Sequence, residues 1–265
     1  MTWVFGNPTI LGSGVCVADI QVTTGDDRTF DCLRKLYPVD RNLIAGFAGN
    51  VATGFEMLTV LHHLMNAEKA SSAEAADVQR IFKRFPAAAM QRYADLPAEH
   101  REGGSQLLIV GANRANDALY ESRPEAARFA APDFRCDEIP RGEWRSIGSG
   151  AEIAGYRREL EALTSDEGRK LMQLEANSPG GYAKVMSFSV VQAVRQMPSV
   201  PGISQHFHTG VVFANACEFS TSDTTWYDDE GPHVIEMPEV ADSWASLQAL
   251  LSKLGPGPGL GIAIA

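Results

Sequence analysis

The stretch Val15-Cys16-Val17-Ala18-Asp19-Ile20-Gln21-Val22-Thr23 decides the fold. It is dense in β-branched residues, and Gly12-Ser13-Gly14 before it and Gly25-Asp26-Asp27 after it are turn signals, so it reads as a strand. One residue breaks the pattern: Asp19 stands where an apolar or neutral side chain belongs. A buried carboxylate normally has a cationic partner. Short strands also fit 2–6, 33–39 and 42–48. Four strands with connections too short for crossover helices favour antiparallel pairing over a doubly wound parallel sheet.

From Val51 the period changes. Val51, Phe55, Leu58, Leu61 or His62, and Met65 recur at three- and four-residue steps, predicting an amphipathic helix over 51–67. A second helix over 72–94 carries Ala75, Val78, Phe82, Phe85 and Met90, with a kink or break expected at Pro86. Strands are expected at 105–111, 117–121 and 143–148, and helices at 150–163 and 180–196. Alternating segments at 207–213, 224–227 and 233–237 read as strands, with Asp228-Asp229-Glu230-Gly231 as a hairpin turn. The Ala-rich stretches at 70–76 and 126–131 read as helix or linker. This order of elements predicts an α+β protein, a four-layer αββα sandwich of two antiparallel sheets between helix layers. The expected organisation is one domain over 1–238, a C-terminal helix at 239–254 and a Gly/Pro-rich tail at 255–265.

Composition narrows the function. With 265 residues, 45% hydrophobic and 21% charged, the chain is long enough for a sizeable core. Its formal net charge of -10 and the lack of a Lys/Arg run argue against nucleic acid as a partner. The start, Met1-Thr2-Trp3-Val4-Phe5-Gly6, lacks the basic and apolar regions of a secretory signal. No stretch approaches the ~20 apolar residues of a membrane span, so a cytoplasmic protein is expected. Cys16, Cys32, Cys136 and Cys217 show no CxxC spacing and read as reduced thiols. His206 and His208 alternate along a strand, but two ligands are too few for a metal site. No cofactor is implied.

Thr2 is the most informative residue. A small side chain after Met1 permits removal of the initiator, which would place a free α-amine beside a hydroxyl. The amine, with a pKa of about 7.7–8.0, can take the hydroxyl proton near neutral pH. Lys35 lies in the candidate strand 33–39, and neighbouring strands are only about 4.8 Å apart, so an Asp19–Lys35 pair is expected beneath the chain start. Its ammonium would depress the α-amine pKa and stabilise an alkoxide while Asp19 orients it. A structural ion pair is the other reading.

These residues resemble the proteasome β-subunit family, particularly bacterial relatives such as the heat-shock peptidase that forms a double ring with an unfoldase. Thr2, Asp19 and Lys35 lie at intervals of 17 and 33 residues from Thr2. Each interval is one more than the family usually shows, as a single insertion between Asn7 and Gly14 would produce. Leu43-Ile44-Ala45-Gly46-Phe47-Ala48-Gly49 looks like the family's strand and glycine turn before its first long helix, and Ser146-Ile147-Gly148-Ser149-Gly150 like the motif that opens its third. The resemblance covers roughly 2–215 and implies a threonine peptidase of the N-terminal nucleophile (Ntn) class. Thr2 would be nucleophile and, through its amine, base; Lys35 the electrostatic activator; Asp19 its orienter; and the Gly46 N–H the oxyanion donor. It also implies a homo-oligomeric double ring, peptides or unfolded proteins as substrates, and an ATP-dependent unfoldase as partner.

Two positions depart from the family pattern. Ala151 stands where a serine usually follows Gly-Ser-Gly, leaving Ser149 as a substitute, and 199–204 lack the usual late aspartate. A ring that has lost turnover and serves as scaffold or peptide-binding particle therefore stays open, as does a small-molecule amidase of the Ntn group. By the family's geometry the specificity pocket would be lined by Val22, Leu33, Tyr37, Ile44, Ala48 and Ala52, implying cleavage after large apolar residues.

Overall fold

The computed structural model describes residues 2–25, 27–71, 76–114, 122–176, 178–197, 202–220, 224–228 and 231–253. The chain opens with β1 (Val4–Pro8), β2 (Gly14–Asp19), β3 (Gln21–Thr23), β4 (Thr29–Asp31), β5 (Leu36–Asp40) and β6 (Leu43–Gly49). Helices α1 (Val51–Ser71), α2 (Val78–Ala94) and the short α3 (Ala98–Arg101) follow, then β7 (Ser105–Arg114), β8 (Ser122–Ala130), β9 (Asp137–Ile139) and β10 (Arg145–Ile147). A 3-10 turn at Ser149–Glu152 leads into α4 (Ala154–Thr164), α5 (Asp166–Glu175) and α6 (Pro179–Arg195). The last elements are β11 (Phe207–Val212), β12 (Cys217–Ser220), β13 (Thr224–Asp228), β14 (Gly231–Ile235) and α7 (Trp244–Lys253).

Two five-stranded sheets dominate, ordered β10-β1-β2-β11-β12 and β5-β6-β7-β8-β9. All their pairings are antiparallel. Side-chain alternation sorts the apolar residues into three clusters. Cys16, Ala18, Val4 and Val212 of the first sheet meet Leu36, Ile44, Leu108 and Val110 of the second, so the sheets pack face to face. Val15, Val17 and Phe5 turn the other way and meet Tyr156, Leu160, Met172, Tyr182 and Val190 of α4 to α6. On the far side, Ala45, Phe47, Leu107 and Ile109 meet Leu58, Leu61, Phe82 and Phe85 of α1 and α2. Strand β2 is therefore buried on both faces, which is why its sequence is a continuous apolar run and not an alternation.

Several expectations change. The strand read at 15–23 divides at Ile20, whose carbonyl accepts from both Cys32 and Leu33 N–H, at 3.1 and 3.0 Å. Its second half, β3, pairs with β4 in a separate two-stranded sheet. The strand read at 33–39 begins only at Leu36, because Cys32 and Arg34 pair with the C-terminal segment: Ala241 N–H donates to Cys32 O (2.7 Å) and Arg34 N–H to Ala241 O (2.9 Å). Leu33, Ala241, Leu247 and Leu251 belong to one cluster, so the C-terminal helix is part of the core and not an appendage. Pro86 lies inside an uninterrupted α2, held by Phe82 and Phe85 against the ring of Phe129 at 5.8 and 4.9 Å. The Ala-rich 126–131 is largely strand β8, paired between β7 and β9, with Ala126 facing the other sheet and Ala127 the cluster under α1 and α2. Helix α5 was not expected. The strand read at 117–121, the central residues of the turn at 228–231, residues 72–75 of the second helix and the tail at 255–265 lie outside the described residues. No helix among the described residues is long and apolar enough to cross a membrane.

Candidate active site

Four of the expected site residues meet at the head of β1. The Trp3 N–H, directly after Thr2, donates to Asp19 Oδ1 at 2.7 Å, and Asp19 N–H returns a bond to Trp3 O at 3.1 Å. Lys35 Nζ donates to Asp19 Oδ1 and Oδ2 at 3.0 and 3.1 Å, and also to the Gln21 carbonyl. The nitrogen of Thr2 lies 3.1 Å from Ser149 Oγ, and the Thr2 carbonyl accepts from Gly150 N–H at 3.0 Å. Thr2 itself is half-buried.

The pairing of Asp19 and Lys35 has a different origin from the one expected. They are not on neighbouring strands of one sheet: Asp19 ends β2 in the first sheet and Lys35 directly precedes β5 in the second. The contact spans the junction between the sheets. Asp19 is 0% and Lys35 1% exposed. Burial pulls the Lys35 ammonium below its ordinary 10.5, while the Asp19 carboxylate opposes that shift through charge and hydrogen bonding.

Gly46 is corrected. The Phe47 N–H donates to Lys35 O at 3.1 Å, so by alternation the Gly46 N–H points the other way, into the ladder opposite Leu108. Its missing side chain makes room for Val4, whose Cγ1 would lie 2.7 Å from a Cβ. The candidate donor that sequence reasoning missed is Gly49. Two residues beyond Phe47, its N–H is on the Lys35 side of β6, past the first residue of β5. Gly148 ties the end of β6 to the chain start: a Cβ there would lie 2.3 Å from Thr2 O and 3.1 Å from Ala48 Cβ. Gly49 has φ +94°, and a Cβ on it would sit 2.5 Å from Gly104 O, so only glycine fits. A glycine at a strand-to-helix junction was the available signal.

The six expected pocket residues do not share a face. Val22 and Leu33 belong to the cluster under α1, with Tyr37 packed against it. Ile44 and Ala48 point into the layer between the sheets. Ala52 belongs to neither cluster. Choosing 44 and 48 in place of 45 and 47 turns each side chain to the opposite face of β6. The β6 side chain on the same side as Val22, Leu33 and Tyr37 is Phe47, a member of that cluster, stacked on Tyr37 at 6.2 Å and edge-on to Phe55 at 5.4 Å. His206 and His208 also separate. His206 Nδ1 lies 2.8 Å from Asp31 Oδ2, whereas His208 is buried between the sheets with neither ring nitrogen bonded.

Compared with known proteins, the chain matches no family model and no curated protein.

Proposed function

We propose that this chain is an Ntn hydrolase with the four-layer αββα arrangement of that class, and that it cleaves peptide bonds with Thr2 after loss of Met1. The observation that carries the reading is the solvent-free Asp19–Lys35 pair, joined through Trp3 N–H to the first residue of the processed chain. Two charges taken out of water are a costly way to hold a fold, and an apolar pair of similar volume would serve stability as well or better. An ammonium anchored through Asp19 to the peptide N–H that follows Thr2 has a chemical use in such a hydrolase.

In this mechanism the Thr2 amine accepts the Oγ proton and Oγ attacks the scissile carbonyl carbon. Gly49 N–H stabilises the oxyanion, the C–N bond breaks, and the amine proton passes to the leaving nitrogen. Water then attacks the Thr2 ester, its proton going to the amine, and releases the acid product with the hydroxyl restored. Lys35 favours the deprotonated amine and the developing alkoxide, Asp19 holds Lys35, and Ser149 Oγ sits beside the nitrogen that must gain and lose the proton. The family resemblance extends the proposal to a closed homo-oligomeric ring that takes peptides or unfolded proteins, served by an ATP-dependent unfoldase, in the cytoplasm.

Intact mass after incubation with a peptide epoxyketone tests this, because that adduct needs both the hydroxyl and the free amine of an N-terminal threonine. The expected result is loss of Met1 and one adduct per chain, absent from Thr2→Ala. A chain that keeps Met1 in an active preparation, or that forms no adduct, overturns it.

A further inference from the structure

A second polar cluster adjoins the Thr2 site and has no part in the chemistry above. Asp31 Oδ2 accepts the Ser204 hydroxyl at 2.7 Å and lies 2.8 Å from His206 Nδ1, while Asp31 Oδ1 accepts from Gln21 Nε2 at 3.0 Å. Ser204 Oγ accepts the backbone N–H of His206 at 2.8 Å, which closes the group. A carboxylate oxygen accepts, so Nδ1 is the donor of this contact. Nε2 has no bonding partner among the described residues. The side chains of His206 and Asp31 are 23% and 26% exposed, placing the group between solvent and the closed Asp19–Lys35 pair.

Two of the three residues bonded to Asp31, Gln21 and Ser204, also touch that pair. Gln21 gives its side chain to Asp31 and its carbonyl to Lys35 Nζ. Ser204 gives its hydroxyl to Asp31 and its N–H to Asp19 Oδ2 at 3.5 Å. Asp19, Gln21, Asp31 and Lys35 come from one short stretch of chain, but Ser204 and His206 arrive from 173 and 175 residues beyond Asp31. The bond between His206 Nδ1 and Asp31 is thus a clasp holding the segment before β11 against the chain start.

We propose that His206, clasped to Asp31, is a positioning residue for Thr2: through Ser204 and Gln21 it sets the place of the Asp19–Lys35 pair. The proposal rests on the Thr2 reading above. The clasp acts as a hydrogen bond, so an amide nitrogen in the place of Nδ1 serves as well as the ring. A displacement of the ammonium by about 1 Å is enough to cost on the order of 10²-fold in turnover.

The test compares His206→Ala, His206→Asn and the unaltered chain in two measurements on processed protein. The first is peptide turnover, with kcat and KM separated. The second is the pH at which the Thr2 amine becomes reactive to an amine-directed label, which needs no catalysis. His206→Ala is expected to lower kcat about 10- to 100-fold with KM within about twofold. It should also raise the labelling midpoint by about one pH unit, as the ammonium loses its hold on the amine. His206→Asn is expected to restore both. If His206→Asn matches His206→Ala, the ring itself is required and the clasp is wrong. Unchanged kcat and midpoint in folded His206→Ala, or a lowered Tm with both intact, also overturns it. An unaltered chain without peptide turnover counts against the Thr2 reading, and the labelling midpoint then decides the clasp alone.

Discussion

The ammonium of Lys35 bridges both carboxylate oxygens of Asp19, at 3.0 and 3.1 Å, across the seam between two sheets and out of contact with water. Removing one member leaves the other charge buried and alone, at a cost of about 3–5 kcal/mol. Lys35→Ala is therefore expected to lower urea-derived stability by that amount and turnover by at least about 10²-fold. The double variant Asp19→Asn, Lys35→Met should recover most of the stability and none of the turnover. Recovery of turnover would make the pair structural.

The glycines of β6 separate packing from chemistry. Gly46→Ala forces a Cβ to within 2.7 Å of Val4 Cγ1, and that methyl can be removed. Gly46→Ala with Val4→Ala is expected to regain turnover to within about threefold of the unaltered chain, with the single variant lower; threefold is about 0.6 kcal/mol. Gly49→Ala has no such remedy, since it meets the Gly104 carbonyl at positive φ. Turnover measured on folded protein checks this, and loss that persists in the Gly46 double variant would return the donor role to Gly46.

His208 ties stability to pH. Burial, and secondarily the Arg34 guanidinium, push its imidazole from 6.5 down to about 4. The unfolded chain then binds a proton that the folded chain refuses, so stability is complete above pH 6.5 and falls as pH drops from 6.5 to about 4. The loss attributable to this group is about 3 kcal/mol. Urea denaturation across that range should show it in the unaltered chain and not in His208→Leu. Parallel curves for the two would refute it.

In the proposed peptidase, Phe47 is expected to set the specificity. Its ring stacks on Tyr37 and lies against Gly54, where a Cβ would approach it to 2.3 Å. With that space taken, cleavage is expected after small apolar residues such as Ala and Val, in place of the large ones expected from sequence. Phe47→Ala should extend cleavage to Leu and Phe, at a stability cost of about 3–5 kcal/mol. Fluorogenic peptides varied only at the residue before the scissile bond decide it, and an unaltered chain preferring Leu or Arg over Ala would contradict it.

Assembly is read by light scattering. A closed ring has a mass many times the 28.7 kDa of one chain. A monodisperse monomer at micromolar concentration would count against the ring.

Where the signal was local, the sequence was legible. Helix α1 follows from the three- and four-residue spacing of Val51, Leu58, Leu61 and Met65, and the opening hairpin from Gly12 and Gly14 between two apolar runs. Asp19 and Lys35 were visible as charges without a place on a surface. The misplaced positions were those whose direction depends on register. Ile44 and Ala45 are both apolar and both buried, so nothing in composition says which faces the other sheet and which faces α1. For the same reason Gly46 and Gly49 look alike in sequence and differ by the side of β6 to which their N–H groups point.

By itself the sequence determined an α+β chain of antiparallel strands, a long helix after Gly49, and a threonine at the second position with an acid and a base 17 and 33 residues beyond it. These rest on periodicity, turn residues and unbalanced charge, which are properties of neighbours along the chain. Only the tertiary structure decided that Asp19 and Lys35 meet between two sheets, that Ala241 pairs with Cys32 and Arg34, and that Ser204 and His206 close on Asp31. Those contacts join residues up to about 200 positions apart. Their geometry is set by how the layers stack, which no local pattern encodes.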